Sequence, residues 1–317
     1  MRVFRGLSQP SPSATVLTIG NFDGVHLGHR ALLARLCAVA GETGLPPAVL
    51  TFEPHPREFF ARESAPTRLS NLREKLELIA DDGVELAFVA RFNKAFASLT
   101  ADQFIEDVLV KTLRVRHLII GDDFRFGAKR AGDFALLQQA GESFGFRVEA
   151  MSTVASADVR VSSSAVRDAL WAGDLERAAE LLGRPYVIDG RVVHGDKVGR
   201  QLGYATANIR MKHDRPPLLG VFAVEVTGLD GKLLPGVANL GYRPTANAVL
   251  RPILEVHLFD FAADIYGAHL TVRFLHKIRD EMKFSGFDEL KAQIARDVET
   301  GKEFFSTTET QRHREIL

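Results

Sequence analysis

The sequence predicts two fold classes joined end to end: an α/β part built on a parallel sheet, then an antiparallel β-barrel with a C-terminal helix. Three observations predict it. Strand-like and helix-like segments alternate from residue 14 to about residue 150. Short alternating strands separated by turn signals, with few helical runs, follow residue 184. A length of 317 residues suits about two domains.

The elements follow in order. Val16-Leu17-Thr18-Ile19 is a short apolar run, and Leu32, Leu33 and Leu36 after it are spaced as one face of a helix. Ala48 to Phe52 reads as a second strand, Leu69 to Ala80 as a helix ending near Asp81-Asp82-Gly83, and Leu86 to Val89 as a third strand. Ala101 to Leu113 reads as a helix, His117 to Ile120 as a strand, Asp133 to Phe144 as a helix and Arg147 to Met151 as a further strand. Strands alternating with helices imply a parallel sheet covered on both faces, with ligands off the carboxyl ends of its strands. Two loops lie at that end, Gly20 to His29 and Gly121 to Gly127. Ala165 to Leu182 carries two helical pieces interrupted at Gly173-Asp174, and the domain boundary is placed near Arg184-Pro185-Tyr186, giving domains 1–184 and 185–317. Val187 to Val193, Gly220 to Val226, Ile253 to Leu258 and Leu270 to Phe274 are the barrel strands. A helix from Phe287 to about Glu299 closes the chain, and the polar tail from Ser306 is expected to be disordered.

Composition is that of a soluble globular protein, 46% hydrophobic and 25% charged. Forty basic residues balance forty acidic ones, so no whole-chain field recruits nucleic acid or an anionic membrane, and any anion site must be local. Residues 1–15 lack the apolar core of a signal peptide, and no apolar run approaches the length of a membrane span. The single cysteine, Cys37, cannot form an internal disulfide and is expected to be a small buried residue; this cysteine poverty fits a reducing cytoplasm.

Gly20-Asn21-Phe22-Asp23-Gly24-Val25-His26-Leu27-Gly28-His29 is a strand-to-helix loop with two histidines at the helix start. Free N–H groups and partial positive charge at a helix N-terminus attract anions, and glycines let the backbone approach one closely. His26 and His29, three apart, point to one side, as a polyphosphate site requires. Ser162-Ser163-Ser164 opens another helix, where serines ordinarily cap; Arg167 one turn in adds a cation suited to phosphate. In the second half, His194 to Asn208 is a loop with glycines at Gly195, Gly199 and Gly203, readable either as an ordinary hairpin connection or as a ligand wrap. Thr206 and Asn208 face one way in an extended segment, and their oxygens suit Mg²⁺ with phosphate. Glu255 alternates with Leu254 and Val256, which by pattern alone describes a solvent-facing polar residue on a half-buried strand.

The loop at 20–29, Phe52-Glu53-Pro54-His55-Pro56, Gly121 to Gly127 and Val161 to Arg167 together resemble the FAD synthetase half of the bacterial bifunctional riboflavin kinase/FMN adenylyltransferases, a Rossmann-like nucleotidyltransferase of the H-x-G-H type. Gly199 to Asn208, Gly236 to Thr245, Glu255 to Phe261 and Ile278 to Phe284 resemble the riboflavin kinase half, so the likeness covers nearly the whole chain. It implies two reactions in series. ATP phosphorylates riboflavin to FMN in the barrel, and FMN then attacks the α-phosphorus of a second ATP, releasing pyrophosphate and giving FAD. Riboflavin, FMN and ATP are the implied partners and Mg²⁺ the implied metal, with no nucleic acid or membrane.

The resemblance also implies residue roles. His26, His29, Ser164 and Arg167 hold ATP phosphates, with Gly20, Asn21, Phe22, Gly24, Gly28 and Asp123 around the nucleotide. Glu53 and His55 line the flavin side, although His55 also reads as a ring packed between two prolines. In the barrel, Gly195, Lys197 and Gly203 wrap ATP, Thr206 and Asn208 hold Mg·ATP, and Arg279 and Phe284 belong to a flavin-side flap. Glu255 is the implied base for the neutral 5′-hydroxyl of riboflavin. The transferase half needs no such base, because a phosphate monoester, with a second pKa of about 6, is already ionised. Two departures from the pattern stand out: Ser164 replaces a frequent threonine and keeps the hydroxyl, and Ala205 replaces the usual proline, leaving the approach to Thr206 freer. Ala205 is the one feature favouring an alternative in which the barrel only binds or senses flavin. The H-x-G-H loop alone would also allow a different phosphate acceptor.

Overall fold

The computed structural model describes residues 1–152, 155–156, 159–195, 204–211, 215–229, 231–244 and 250–315. They pack as two units, one of residues 1–66 and 70–163, the other of residues 67–69 and 164–317. The packing division thus falls at Ser163/Ser164, ahead of the composition change at Arg184-Pro185.

The first unit is a parallel six-stranded sheet of order β1-β4-β3-β2-β5-β6. Its strands are β1 (Arg2–Arg5), β2 (Thr15–Ile19), β3 (Pro47–Glu53), β4 (Leu86–Arg91), β5 (Val115–Gly121) and β6 (Arg147–Met151). β2 is buried at every residue, as a strand covered on both faces must be. Leu17, Ile19, Leu50, Phe88, Leu118 and Ile120 pack on one face; Val16, Val49, Ala87 and Ile119 pack on the other. The helices are α1 (Leu27–Thr43), α2 (Pro56–Phe60), α3 (Leu72–Asp81), α4 (Lys94–Ala97), α5 (Ala101–Gln103) and α6 (Phe134–Phe144), with a 3₁₀ turn at Ala128–Arg130. A short hairpin, β7 (Ala155–Ser156) and β8 (Val159–Arg160), follows. The chain runs β2, β3, β4 in one direction and returns to β5 on the other side of β2. The loops after β2 and β5 therefore leave from the switch point, where α/β sheets bind ligands.

In the second unit, six antiparallel strands close a barrel of order β10-β13-β12-β11-β14-β9. They are β9 (Tyr186–Val193), β10 (Ala207–Arg210), β11 (Gly220–Leu229), β12 (Lys232–Pro244), β13 (Leu250–Leu258) and β14 (His269–Arg279). α7 (Ser163–Ala172) and α8 (Leu175–Leu182) precede them, and α9 (Phe287–Glu315) ends the chain. α8 buries Leu175, Ala178, Leu181 and Leu182 and packs on β9 and β14, which draws it to the barrel unit.

The structure corrects several expectations. β1 lies within residues 1–15, where the sequence reading assigns no element; it is an edge strand that buries only Phe4. The helix expected from Leu69 starts at Leu72, because Asn71 caps it and Glu74 bonds back to the Asn71 N–H. The helix expected over 101–113 is a short α-helix that continues as a π-helix at Phe104–Thr112. The expected disordered tail is a helix through Glu315. Cys37 is half-buried; its thiol donates to the Asp82 carbonyl at 3.4 Å, and burial pushes its pKa up.

Candidate active sites in the sheet and the barrel

The loop after β2 turns sharply. Phe22, Gly24 and Val25 all have positive φ, of 49°, 82° and 41°. Such angles are strained for Phe and Val, and strain of this kind persists only where surroundings fix it. His26 caps α1, its Nδ1 accepting from the His29 N–H at 3.3 Å. An accepting Nδ1 leaves the proton of a neutral His26 on Nε2. The rings of His26 and His29 stack, centroids 3.7 Å apart and planes at 17°. Gly28 sits close beneath: a Cβ there would meet the His26 ring at 3.2 Å and the Val161 carbonyl at 3.4 Å. Burial, with help from His26 and Lys75, holds His29 well below the usual histidine pKa. His29 is therefore neutral near pH 7 and can donate to an anion through one ring nitrogen. Its Nδ1 and the Asn21 Oδ1 are buried with no hydrogen-bond partner among the described residues. Buried polar atoms without partners point to a ligand or water that would satisfy them. Gly20 lets the Phe22 ring approach at 3.1 Å from where a Cβ would stand.

Asp123, on the loop after β5, bonds Arg160 of β8 at 2.6 Å. Ser164 and Arg167 stand in the first turns of α7, where the Arg167 Nε donates to the Thr67 carbonyl at 2.5 Å. Glu53 ends β3, and His55 caps α2, its Nδ1 accepting from the Arg57 N–H at 3.1 Å. Phe52, Phe59, Phe60, Phe92 and Phe96 form a chain of ring contacts beside them, with centroids 5.6–5.9 Å apart across Phe92 and Phe96. Phe60 is 69% exposed, so this aromatic shelf is open at one end.

In the barrel, Asn208 of β10, Glu255 of β13 and Asn239 of β12 stand directly opposite one another in register. Antiparallel partners share a face, so this is a polar row across three strands. Leu254 and Val256 beside Glu255 are buried, 0% and 1% exposed, as alternation demands. A cleft of about 840 Å³ runs from Glu255, Asn239 and Thr206 to Arg279, Phe284 and α9. A second, of about 890 Å³, is lined by Thr206, Asn208 and residues Phe261 to Tyr266. Thr206 borders both. Gly195 passes so near Asn208 that any Cβ would overlap its amide. The Asn208 Oδ1 is buried and unpartnered among the described residues, a hard oxygen left for a cation or donor. Lys197 and Gly203 lie outside the described residues.

The riboflavin kinase family model matches residues 182–305, and the FAD synthetase model residues 8–165. The chain is 53% identical over 311 residues to the bifunctional riboflavin kinase/FMN adenylyltransferase of Escherichia coli (strain K12), covering 97% of this chain and 99% of that protein. The chain belongs to the bifunctional riboflavin kinase/FMN adenylyltransferase family. The family protein of Haemophilus influenzae is 50% identical over 309 residues, covering 97% of this chain and all of its own. A crystal structure from Streptococcus pneumoniae, described as a macrolide-efflux protein, superposes with a TM-score of 0.80 at 30% identity, over 93% of this chain and 97% of that one. Among the described residues no helix is long and apolar enough to cross a membrane.

Within this bifunctional family architecture the sequence reading overlooked several groups that face the clefts. Asn239 and Glu281 line the cleft with Glu255, and burial pushes the Glu281 carboxyl up. Asp297 of α9 holds Arg279 by paired bonds of 2.9 and 2.7 Å and is itself 4% exposed. The aromatic shelf had one sequence signal, the adjacent Phe59-Phe60 just after Phe52-Glu53-Pro54-His55-Pro56 in a chain with 22 phenylalanines but only 4 tyrosines and 1 tryptophan. The Ala205 carbonyl is held by His257 Nδ1 at 2.9 Å. A carbonyl only accepts, so that ring nitrogen carries the proton and ties down the backbone that a proline would otherwise stiffen.

Proposed function

We propose that this chain converts riboflavin to FMN in the barrel and FMN to FAD at the sheet, with ATP as donor in both steps, in the cytoplasm. The observation that carries the reading is the polar row of Asn208, Glu255 and Asn239 where two clefts meet at Thr206. One cleft, walled by Arg279, Phe284 and α9, takes the flavin; the other, under Phe261 to Tyr266, takes the nucleotide. Glu255 accepts the proton of the riboflavin 5′-hydroxyl as its oxygen attacks the γ-phosphorus, and ADP leaves. Asn208 and Thr206 offer the oxygens for Mg²⁺, which when bound with ATP offsets charge on the transferring phosphoryl group.

At the sheet, a phosphate oxygen of FMN attacks the α-phosphorus of ATP and pyrophosphate departs. His26 and His29 donate to phosphate oxygens and remove no proton, in keeping with a neutral, half-buried His29. Gly20, Asn21, Phe22, Gly24 and Gly28 shape the backbone around the phosphates; the family pattern adds Asp123, Ser164 and Arg167. The flavin ring stacks on the shelf beside Glu53 and His55. Full-length protein given riboflavin, ATP and Mg²⁺ is expected to yield FMN and then FAD on chromatography. His29→Ala should accumulate FMN, and Glu255→Ala should block FMN formation while still converting supplied FMN to FAD. FMN formation by Glu255→Ala at the parent rate would show that the base is another group.

A further inference from the structure

The strained loop that presents His26 and His29 is tied through its own Asp23 to Ser70, a residue outside every motif. Asp23 is 2% exposed and Ser70 3% exposed. The Ser70 N–H donates to Asp23 Oδ1 at 3.1 Å, and the Ser70 hydroxyl donates to the same oxygen at 3.4 Å. The Gly24 N–H donates to Ser70 Oγ at 3.0 Å. The Asp23 carbonyl accepts from the Ser163 hydroxyl at 2.9 Å. Ser70 thus closes a ring of bonds on the loop, receiving from one residue and giving to its neighbour. These are the residues between Phe22 and Val25, whose positive φ values need external support. Ser70 immediately precedes Asn71, the cap of α3, so the Asp23 carboxylate also lies at the positive end of that helix.

We propose that Ser70 is a positioning residue for adenylyl transfer: with Asp23 it latches the Phe22–Val25 turn so that the loop's N–H groups and the two histidines are set before ATP arrives. The inference rests on the adenylyl-transfer reading of this loop. It differs from a packing role in that three hydrogen bonds join Ser70 to the loop, two to the Asp23 carboxylate and one from the Gly24 backbone N–H.

The test is steady-state kinetics on the full chain, with FAD formation from FMN and FMN formation from riboflavin measured in the same preparation. Ser70→Ala removes the hydroxyl that Gly24 and Asp23 share. The KM for ATP in FAD formation is expected to rise about tenfold, the usual effect of leaving a buried donor unpaired. The riboflavin kinase rate should not change, and Ser70→Thr, which keeps the hydroxyl, should restore the KM. Wild-type kinetics in Ser70→Ala would overturn the latch. So would a fall in kcat at unchanged KM that Thr does not rescue, since that is the signature of lost folded protein alone. Where Ser70→Ala does not accumulate, Ser70→Cys is read by the same two outcomes. A wild-type chain that makes no FAD from FMN would instead sink the functional reading, leaving a result distinct from either.

Discussion

Replacing Asp297 should disable, from behind, the barrel cleft proposed to take flavin. Its carboxylate receives Arg279 Nε at 2.9 Å, Arg279 Nη2 at 2.7 Å and the Gln293 amide at 2.8 Å. The pair is well shielded, with side-chain exposures of 18% for Arg279 and 6% for Asp297. Removing one member of a buried pair costs about 3–5 kcal/mol, because the other charge is left without compensation. Arg279 would retain its bond from Nη1 to the Asp280 carbonyl at 2.8 Å and some contact with water, which favours the lower end, about 3 kcal/mol. Arg279 begins the 279–284 segment whose Phe284 lines the cleft, 5.8 Å from the guanidinium. If the lost energy appears in flavin affinity, ~3 kcal/mol is about a hundredfold in Kd. Fluorescence titration of riboflavin against Asp297→Ala measures it directly, and a thermal melt of the same protein shows how much appears as stability instead. A further arm tests the cause. The double variant Arg279→Met/Asp297→Leu should melt above Asp297→Ala, because it removes the uncompensated charge. If Asp297→Ala binds riboflavin within twofold of the parent and melts at the same temperature, the helix does not hold the cleft and the reasoning fails.

Two more outcomes follow from the geometry. Gly195→Ala should abolish most FMN formation while FAD formation from supplied FMN continues, because the new methyl must displace the Asn208 amide; parallel assays of the two steps decide it. The pKa of His29 in the folded chain lies below its unfolded value near 6.5, so between the two the unfolded chain binds more protons. Its neutral form contributes fully above about pH 6.5 and progressively less as pH falls below that. Urea unfolding at pH 7.5 and 5.5 should therefore show the parent losing more stability on acidification than His29→Gln.

Most of the architecture was legible because hydrophobic period and turn chemistry agree over its long segments. β2, β3, β4 and β5 are apolar runs bounded by glycine or charge, and the loop at Gly20 carries its glycines and histidines in plain order. Other elements resist such reading for identifiable reasons. β1 is Arg-Val-Phe-Arg, too short and too charged to show a period, and becomes a strand only by pairing with β4. β12 contains Pro235, Gly236, Asn239 and Gly241, which break any alternating pattern, so the sequence reading assigns no strand there; pairing to β11 and β13 along both edges makes it one. Bonds such as Leu113 N–H to the Val108 carbonyl, five residues back, change no side-chain pattern that would distinguish a π-helix from an α-helix. At the sites, sequence order shows residues that share a motif but not those that meet across the fold. Ser70 lies 47 residues from Asp23, Asp297 lies 18 from Arg279, and Asn239 reaches Glu255 through register alone.

Thr206 borders both of the barrel's bays. With flavin and nucleotide assigned to the two bays as proposed, a single compound, flavin at one end and purine at the other, would lie in both when a phosphate bridge of suitable length joins its ends. For such a compound the second bay is filled intramolecularly, and two modest affinities combine through effective concentration rather than by addition of new contacts. The shared residue gives inhibitor design a ruler: bridges too short to pass Thr206 should bind as single-bay ligands, and affinity should rise at the first length that spans both bays.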